Sequence, residues 1–223
     1  DELIMKKRKE YKIKNIIFDL DGTLIDSSYG VLASLSQVCL ENNINIERPI
    51  SKTIIGPPLK ETLINLTKID DEMSIDHLVD CFKLEYDSNG YKDTVAFKGI
   101  EEILSTLYDN GINLYIATNK RKNPTYKIIN MLTWARFFKG IYSIDSFDGV
   151  KTKGDLLSCI VKKYNLKSCI YIGDHSDDFL ASKVASLPYI MIGWGFGNFK
   201  TQFDGEVALN PYDLLSRLES QSL

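Results

Sequence analysis

Asp19 and Asp21 stand two residues apart in Phe18-Asp19-Leu20-Asp21-Gly22-Thr23-Leu24, directly after the apolar run Ile13–Phe18. Asp is a poor strand former, so two carboxylates where a strand ends call for an explanation. Gly22 permits a sharp turn at that point. Taken alone, the pair reads equally well as a solvated Asp-Gly turn. Three further segments change the balance. The run Ile112–Ala117 leads into Thr118-Asn119, a hydroxyl and an amide where a phosphoryl oxygen could be held. Lys151-Thr152-Lys153-Gly154 opens a helical pattern, and Cys169–Ile172 leads into Gly173-Asp174-His175-Ser176-Asp177-Asp178. Parallel strands would bring these loops to one edge of a sheet, where ligands bind. Asp19, Asp21, Asp174 and Asp178 would then crowd together, which costs free energy unless a cation neutralises them. All-oxygen ligation favours magnesium over zinc.

Rival motifs fail on spacing. An EF-hand loop starting at Asp19 needs Gly sixth and Glu twelfth, and those positions are Leu24 and Gly30. Gly193-Trp194-Gly195-Phe196-Gly197 lacks the glycine offset of a dinucleotide fingerprint and follows the last strand rather than the first. There is no Walker-type Gly-Lys-Ser/Thr loop.

The elements that must position these residues follow from periodicity. Ile13–Phe18, Ile112–Ala117, Ile141–Ile144, Cys169–Ile172 and Tyr189–Ile192 are short, near-continuous apolar runs, as expected of parallel strands covered on both faces. Gly99–Tyr108, Lys153–Tyr164 and Ser176–Ser186 carry apolar residues at helical spacing, the last through Phe179, Leu180 and Val184. Strand and helix in alternation predict an α/β, doubly wound parallel sheet of the Rossmann-like kind. Residues 27–91 break the alternation: only helical patterns occur there, at Val31–Leu40, Pro58–Leu66 and Ile75–Tyr86. We expect a small all-helical domain inserted after the first strand (27–91), on a core of 1–26 and 92–223. Asp213–Leu218 is a short closing helix.

Composition narrows the class. The chain has 223 residues, 44% hydrophobic and 26% charged, with net charge −3, ordinary for a globular protein. That charge gives no reason to expect nucleic acid or an anionic membrane as partner. The apolar runs fall far short of the roughly 20 residues of a membrane helix. Lys6, Lys7, Arg8 and Lys9 are not followed by the apolar h-region of a signal peptide, so no secretory signal is expected and the cytoplasm is the expected location. Cys39, Cys81, Cys159 and Cys169 form no C-x-x-C pair and read as buried reduced thiols.

Asp-x-Asp-Gly-Thr-Leu, a later Thr-Asn, a lysine, and Gly-Asp-x-x-x-Asp, in this order at strand ends, resemble the haloacid dehalogenase-like hydrolase superfamily. More narrowly the chain is similar to its phosphoglycolate-phosphatase-like branch, from Ile13 to about Asn198. The helical insert matches that family's cap, Ile55-Gly56-Pro57-Pro58-Leu59 a cap loop, and the glycine-rich segment a turn after the last strand. The resemblance implies a magnesium-dependent phosphatase acting on a small phosphorylated metabolite. Asp19 would be the nucleophile and form an aspartyl-phosphate. Asp21 would act as general acid and then base. Thr118 and the backbone amide of Asn119 would hold phosphoryl oxygens, and a lysine would offset charge. Magnesium would be held by Asp19, the Asp21 carbonyl and Asp174, with Asp178 assisting. Here the sequence departs from the Lys-Pro-x-Pro of many relatives. Lys153, followed by Gly154, Asp155 and Leu156, fits a known variant, with Lys151 the other candidate.

Two other readings share these residues. A phosphomutase on the same scaffold would also need Asp19 and Asp21, and would pass the phosphate to a bound sugar phosphate rather than water. A non-enzymatic module that stores phosphate on an aspartate would need neither the insert nor Asp21. His175 reads as a polar filler, Asp177 as an exposed acid at a helix start, and Trp134, Phe137 and Phe138 as core packing.

Overall fold

The computed structural model describes residues 11–46, 50–197, 203 and 205–220; the lysine-rich first ten residues and Asn198 lie outside these. Strand β1 (Asn15–Phe18) is followed by a two-residue β2 (Ile25–Asp26) and by helices α1 (Ser28–Glu41), α2 (Leu59–Thr67) and α3 (Glu72–Ser88). The chain returns through β3 (Val95–Ala96) to α4 (Ile100–Asp109), β4 (Asn113–Thr118), α5 (Lys122–Met131) and β5 (Phe138–Ser143). It closes with α6 (Lys153–Tyr164), β6 (Cys169–Gly173), α7 (Ser176–Val184), β7 (Tyr189–Ile192), β8 (Val207–Ala208) and α8 (Pro211–Ser220).

Six of the strands form one parallel sheet in the order β5-β4-β1-β6-β7-β8. All four residues of β1 are buried, so the strand is covered on both faces. Alternate residues feed opposite cores, as the pleat demands. Ile16, Phe18, Leu114 and Ile116 join Ile100, Leu104 and Leu107 of α4, Ile128 of α5 and Leu214 of α8. Ile17, Tyr115 and Ala117 join Leu156, Leu157 and Ile160 of α6 and Ala181 of α7. The fold is an α/β doubly wound sheet. The chain builds outward from β1 through β4 to β5, then crosses back to β6 on the other side of β1. That reversal opens a crevice at the carboxyl ends of β4, β1 and β6.

The stretch after β1 is helical, and α1, α2 and α3 bury Leu35, Val38, Leu63, Ile75, Leu78 and Phe82 against one another in a cluster apart from the sheet. Both chain crossings between this cluster and the sheet pass through β2 and β3, which pair antiparallel, Ile25 with Ala96 and Asp26 with Val95. No described helix is long and apolar enough to cross a membrane.

Several local expectations differ from the structure. The third run begins earlier, at Phe138, because Lys139 and Gly140 break the apolar pattern of an edge strand while its pairing with β4 continues. Helix α5 was hidden by Arg121-Lys122-Asn123-Pro124, a polar start with proline in the first turn, where it is tolerated. Leu180 and Val184 of α7 are 61% and 65% exposed rather than core-facing. Cys81 and Cys159 are only half-buried, although all four cysteines are free thiols.

Candidate active site

The register of the sheet decides which groups meet. Phe18 lies level with Ile116 on one side and Ile172 on the other. One residue on is Asp19, whose amide donates to the Ile172 carbonyl at 2.8 Å. Two residues on from the neighbouring partners are Thr118 and Asp174. Asp19, Thr118 and Asp174 are all buried and all line one cavity of about 630 Å³.

Lys153 reaches this point from the first turn of α6. A capping box between Thr152 and Asp155 fixes that helix start. The Lys153 Nζ donates to Asp19 Oδ1 at 2.7 Å and to Asp178 Oδ1 at 2.6 Å. Lys151 is exposed. Asp178 in turn accepts from the Tyr171 hydroxyl at 2.8 Å and from the His175 amide at 3.1 Å, the latter as part of the cap of α7. Asp177 is exposed, and its amide donates to His175 Nδ1 at 3.3 Å.

Asp174 is held from the other side by the glycine-rich turn after β7. The amides of Phe196 and Gly197 donate to its Oδ2 at 2.7 and 3.1 Å. That approach needs glycines. A Cβ on Gly195 would lie 2.3 Å from Asp174 Cβ, and one on Gly22, where φ is +83°, would lie 2.3 Å from Asp174 Oδ2. Thr23 Oγ1 stands 3.4 Å from both Asp19 Oδ2 and Asp174 Oδ1.

Carboxylate oxygens of Asp19, Asp174 and Asp178 lie within 4.8 Å of one another. Burial pushes the Asp19 carboxyl well above its ordinary value; Lys153 pulls it back, and Asp178 and Asp174 push it up again. Burial, with Asp178 alongside, raises Asp174 to about 6 against the pull of the Phe196 and Gly197 amides. Burial works against the Lys153 ammonium, but Asp178 and Asp19 outweigh it and hold it above the ordinary lysine value. One ammonium, that of Lys153, stands against three clustered buried carboxylates. A hard divalent cation fits the all-oxygen donor set and would supply the missing charge.

Asp21 sits just outside this cluster. Its Oδ1 accepts from the Ser27 hydroxyl at 2.5 Å and from the Lys120 Nζ at 2.9 Å. Lys120 is a residue the sequence reading passed over. It is buried, lies 4.6 Å from the Tyr86 ring centroid on α3, and follows Thr118-Asn119 directly, the one signal that could have pointed to it. Burial lowers its proton affinity, and Asp21 more than restores it. Thr118 Oγ1 accepts from the Lys120 amide at 3.1 Å, which leaves its hydroxyl proton free to donate. Asn119 spends its side-chain amide on the Gly56 carbonyl at 3.1 Å, tying the loop before α2 to the sheet. Arg121, beside it, makes a forked pair with Asp87 of α3 at 3.1 and 2.7 Å.

Residues 16–192 match the haloacid dehalogenase-like hydrolase family. The chain belongs to that family. Among the relatives of this hydrolase, a 5'-nucleotidase of Pseudomonas aeruginosa is 31% identical over 190 residues, covering 82% of this chain and 84% of that one. The tyrosine-protein kinase PtkA of Mycobacterium tuberculosis is 26% identical over 187 residues, covering 82% of this chain but only 62% of the longer protein. The structure of a haloacid dehalogenase-like family hydrolase from Streptococcus pneumoniae superposes with a TM-score of 0.81 at 28% identity, covering 92% of this chain and 98% of that one. The acidic cluster of this hydrolase lies inside the matched residues.

Proposed function

We propose that this hydrolase is a magnesium-dependent phosphatase that cleaves a small phosphate monoester through a phosphorylated Asp19. The observation that carries the reading is the convergence on Asp19 of one ammonium, from Lys153 at 2.7 Å, and two further buried carboxylates. The relative from Pseudomonas aeruginosa, named for its action on nucleotides, supports phosphate esters as the substrate class. We take residues 27–91 as the cap and the remainder as the catalytic core.

Asp19 Oδ attacks phosphorus, forming the acyl-phosphate bond while the bond to the leaving alkoxide breaks. Thr118 and the Asn119 backbone amide would orient the phosphoryl oxygens, and Lys153 would offset charge on the nucleophile and the transferring group. Asp21 would move the proton. Both described donors use its Oδ1, so Oδ2 remains to carry a proton to the departing oxygen. The same oxygen then takes a proton from water as that water attacks phosphorus, releasing phosphate and restoring Asp19. Asp19, Asp174 and the Asp21 carbonyl would hold magnesium, with Asp178 acting through Lys153. The ion's contribution when bound is to screen the anionic phosphate from the carboxylates it must approach.

The test is phosphate release from a panel of monoesters with and without magnesium, beside Asp19→Asn. Release that requires the metal and vanishes in the variant is the expected result. Metal-independent turnover, or an active Asp19→Asn, refutes the proposal.

A further inference from the structure

We infer that the leaving alcohol is neutral and carries a flat, largely apolar ring, a claim that rests on the phosphatase reading and adds the class of ester to it. Besides the acidic cluster, the cavity is lined by apolar side chains. Leu35, Ile55, Val79 and Phe82 line it from the helical side, and Ala181 and Val184 from α7. Phe82 and Tyr86, one helical turn apart on α3, stack with ring centroids 5.4 Å apart and planes at 8°. Both border the cavity, so a planar ring entering there would meet aromatic edges, with which rings pack favourably.

Charge points the same way. The cations that border the cavity are committed to carboxylates: Lys120 to Asp21 at 2.9 Å, Arg121 to Asp87 at 2.7 Å, Lys83 to Asp80 at 2.7 Å, and Lys153 to Asp19 and Asp178. Lys151 is exposed and interacts with Asp155. A leaving group with its own carboxylate or second phosphate would compete with these carboxylates for their cations, and Glu61 and Asp177 also border the space. A neutral group meets no such cost.

Helix α7 supplies the third observation. Leu180 and Val184, four residues apart on one face, are 61% and 65% exposed and line this cavity. A ring-bearing alcohol would cover them.

The experiment compares kcat/KM of the magnesium-loaded enzyme for a nucleoside 5'-monophosphate, an aryl phosphate, phosphoglycolate and pyrophosphate. We expect the ring-bearing esters to exceed the other two by about tenfold or more, the scale of discrimination an apolar pocket supplies. The nucleoside and aryl arms separate the two sources of a ring. Phe82→Ala should lower kcat/KM for ring-bearing esters several-fold while phosphoglycolate changes little. Because Phe82 also packs among the helices, Leu180→Gln on the exposed surface is the second variant, with the same selective loss expected. Preference for phosphoglycolate or pyrophosphate, or equal effects of Leu180→Gln on all esters, overturns the inference while the phosphatase reading stands. No hydrolysis of any ester overturns both.

Discussion

The Lys153 Nζ lies 2.7 Å from Asp19 Oδ1, across 134 positions of sequence, with both side chains buried. Lys153→Met removes the ammonium and keeps most of the side chain's bulk. Phosphate release should fall by about 100-fold or more, the scale of a lost electrostatic contact to the reacting group. Steady-state assays at saturating magnesium decide it. A rate within tenfold of the parent would remove Lys153 from the chemistry.

Asp21→Asn keeps the size of the side chain and removes its capacity to shuttle a proton. Turnover should drop about 100- to 10,000-fold, the usual worth of a general acid or base. An aryl phosphate, whose leaving group departs without protonation, should still phosphorylate Asp19. Because the water step lacks its base, the acyl-phosphate accumulates, and intact-mass spectrometry after acid quench should find one added phosphoryl group. A fully active Asp21→Asn removes Asp21 from both steps.

Gly195→Ala places a methyl 2.3 Å from Asp174 Cβ and 2.5 Å from the Gly22 carbonyl. Asp174, the nearest neighbour, must shift, so the magnesium concentration for half-maximal activity should rise about tenfold or more. Gly149→Ala is the control. There φ is +79° and nothing lies within 4 Å, so only the left-handed backbone penalty of about 1–2 kcal/mol applies and the metal requirement stays put. An unchanged requirement in Gly195→Ala contradicts the role given to the glycine-rich turn.

The metal-free protein should lose stability as pH rises. Folded Asp174 titrates near 6 against an ordinary value of 3.8, so the folded state holds that proton more tightly than the unfolded chain does. Its contribution is fully present below pH 3.8 and is lost as pH climbs through 6, amounting to at most about 3 kcal/mol. Asp19, also raised, acts in the same sense. Melting curves in a chelator should show Tm falling across this window, and saturating magnesium should reverse the fall. A metal-free Tm that increases steadily from pH 4 to 7 contradicts the account.

The sheet was legible because its strands are buried on both faces, and such strands write themselves as unbroken apolar runs like Ile112–Ala117. Two-residue strands such as β2 and β3 carry no periodicity to read. Helix α5 escaped because its first turn is polar and holds Pro124. Within the site, Asp19, Asp174 and Lys153 were readable because each follows a strand or opens a helix. Lys120 was not, since nothing in Thr118-Asn119-Lys120-Arg121 tells which cation turns inward. Its burial depends on Asp21 and Tyr86, contributed by segments 99 and 34 positions away. Leu180 and Val184 show the converse. Their spacing announces an apolar face, but only the packed structure says that the face borders a cavity.

Ser27 is the N-cap of α1, and it donates to Asp21 Oδ1. The two crossings between sheet and helices are hydrogen-bonded to each other right beside it. A tilt of the helical segment would pivot on that short ribbon, and Ser27 would carry the movement to the Asp21 carboxylate. On the proposed mechanism, the opening of the cavity and the aim of Asp21 would then change together.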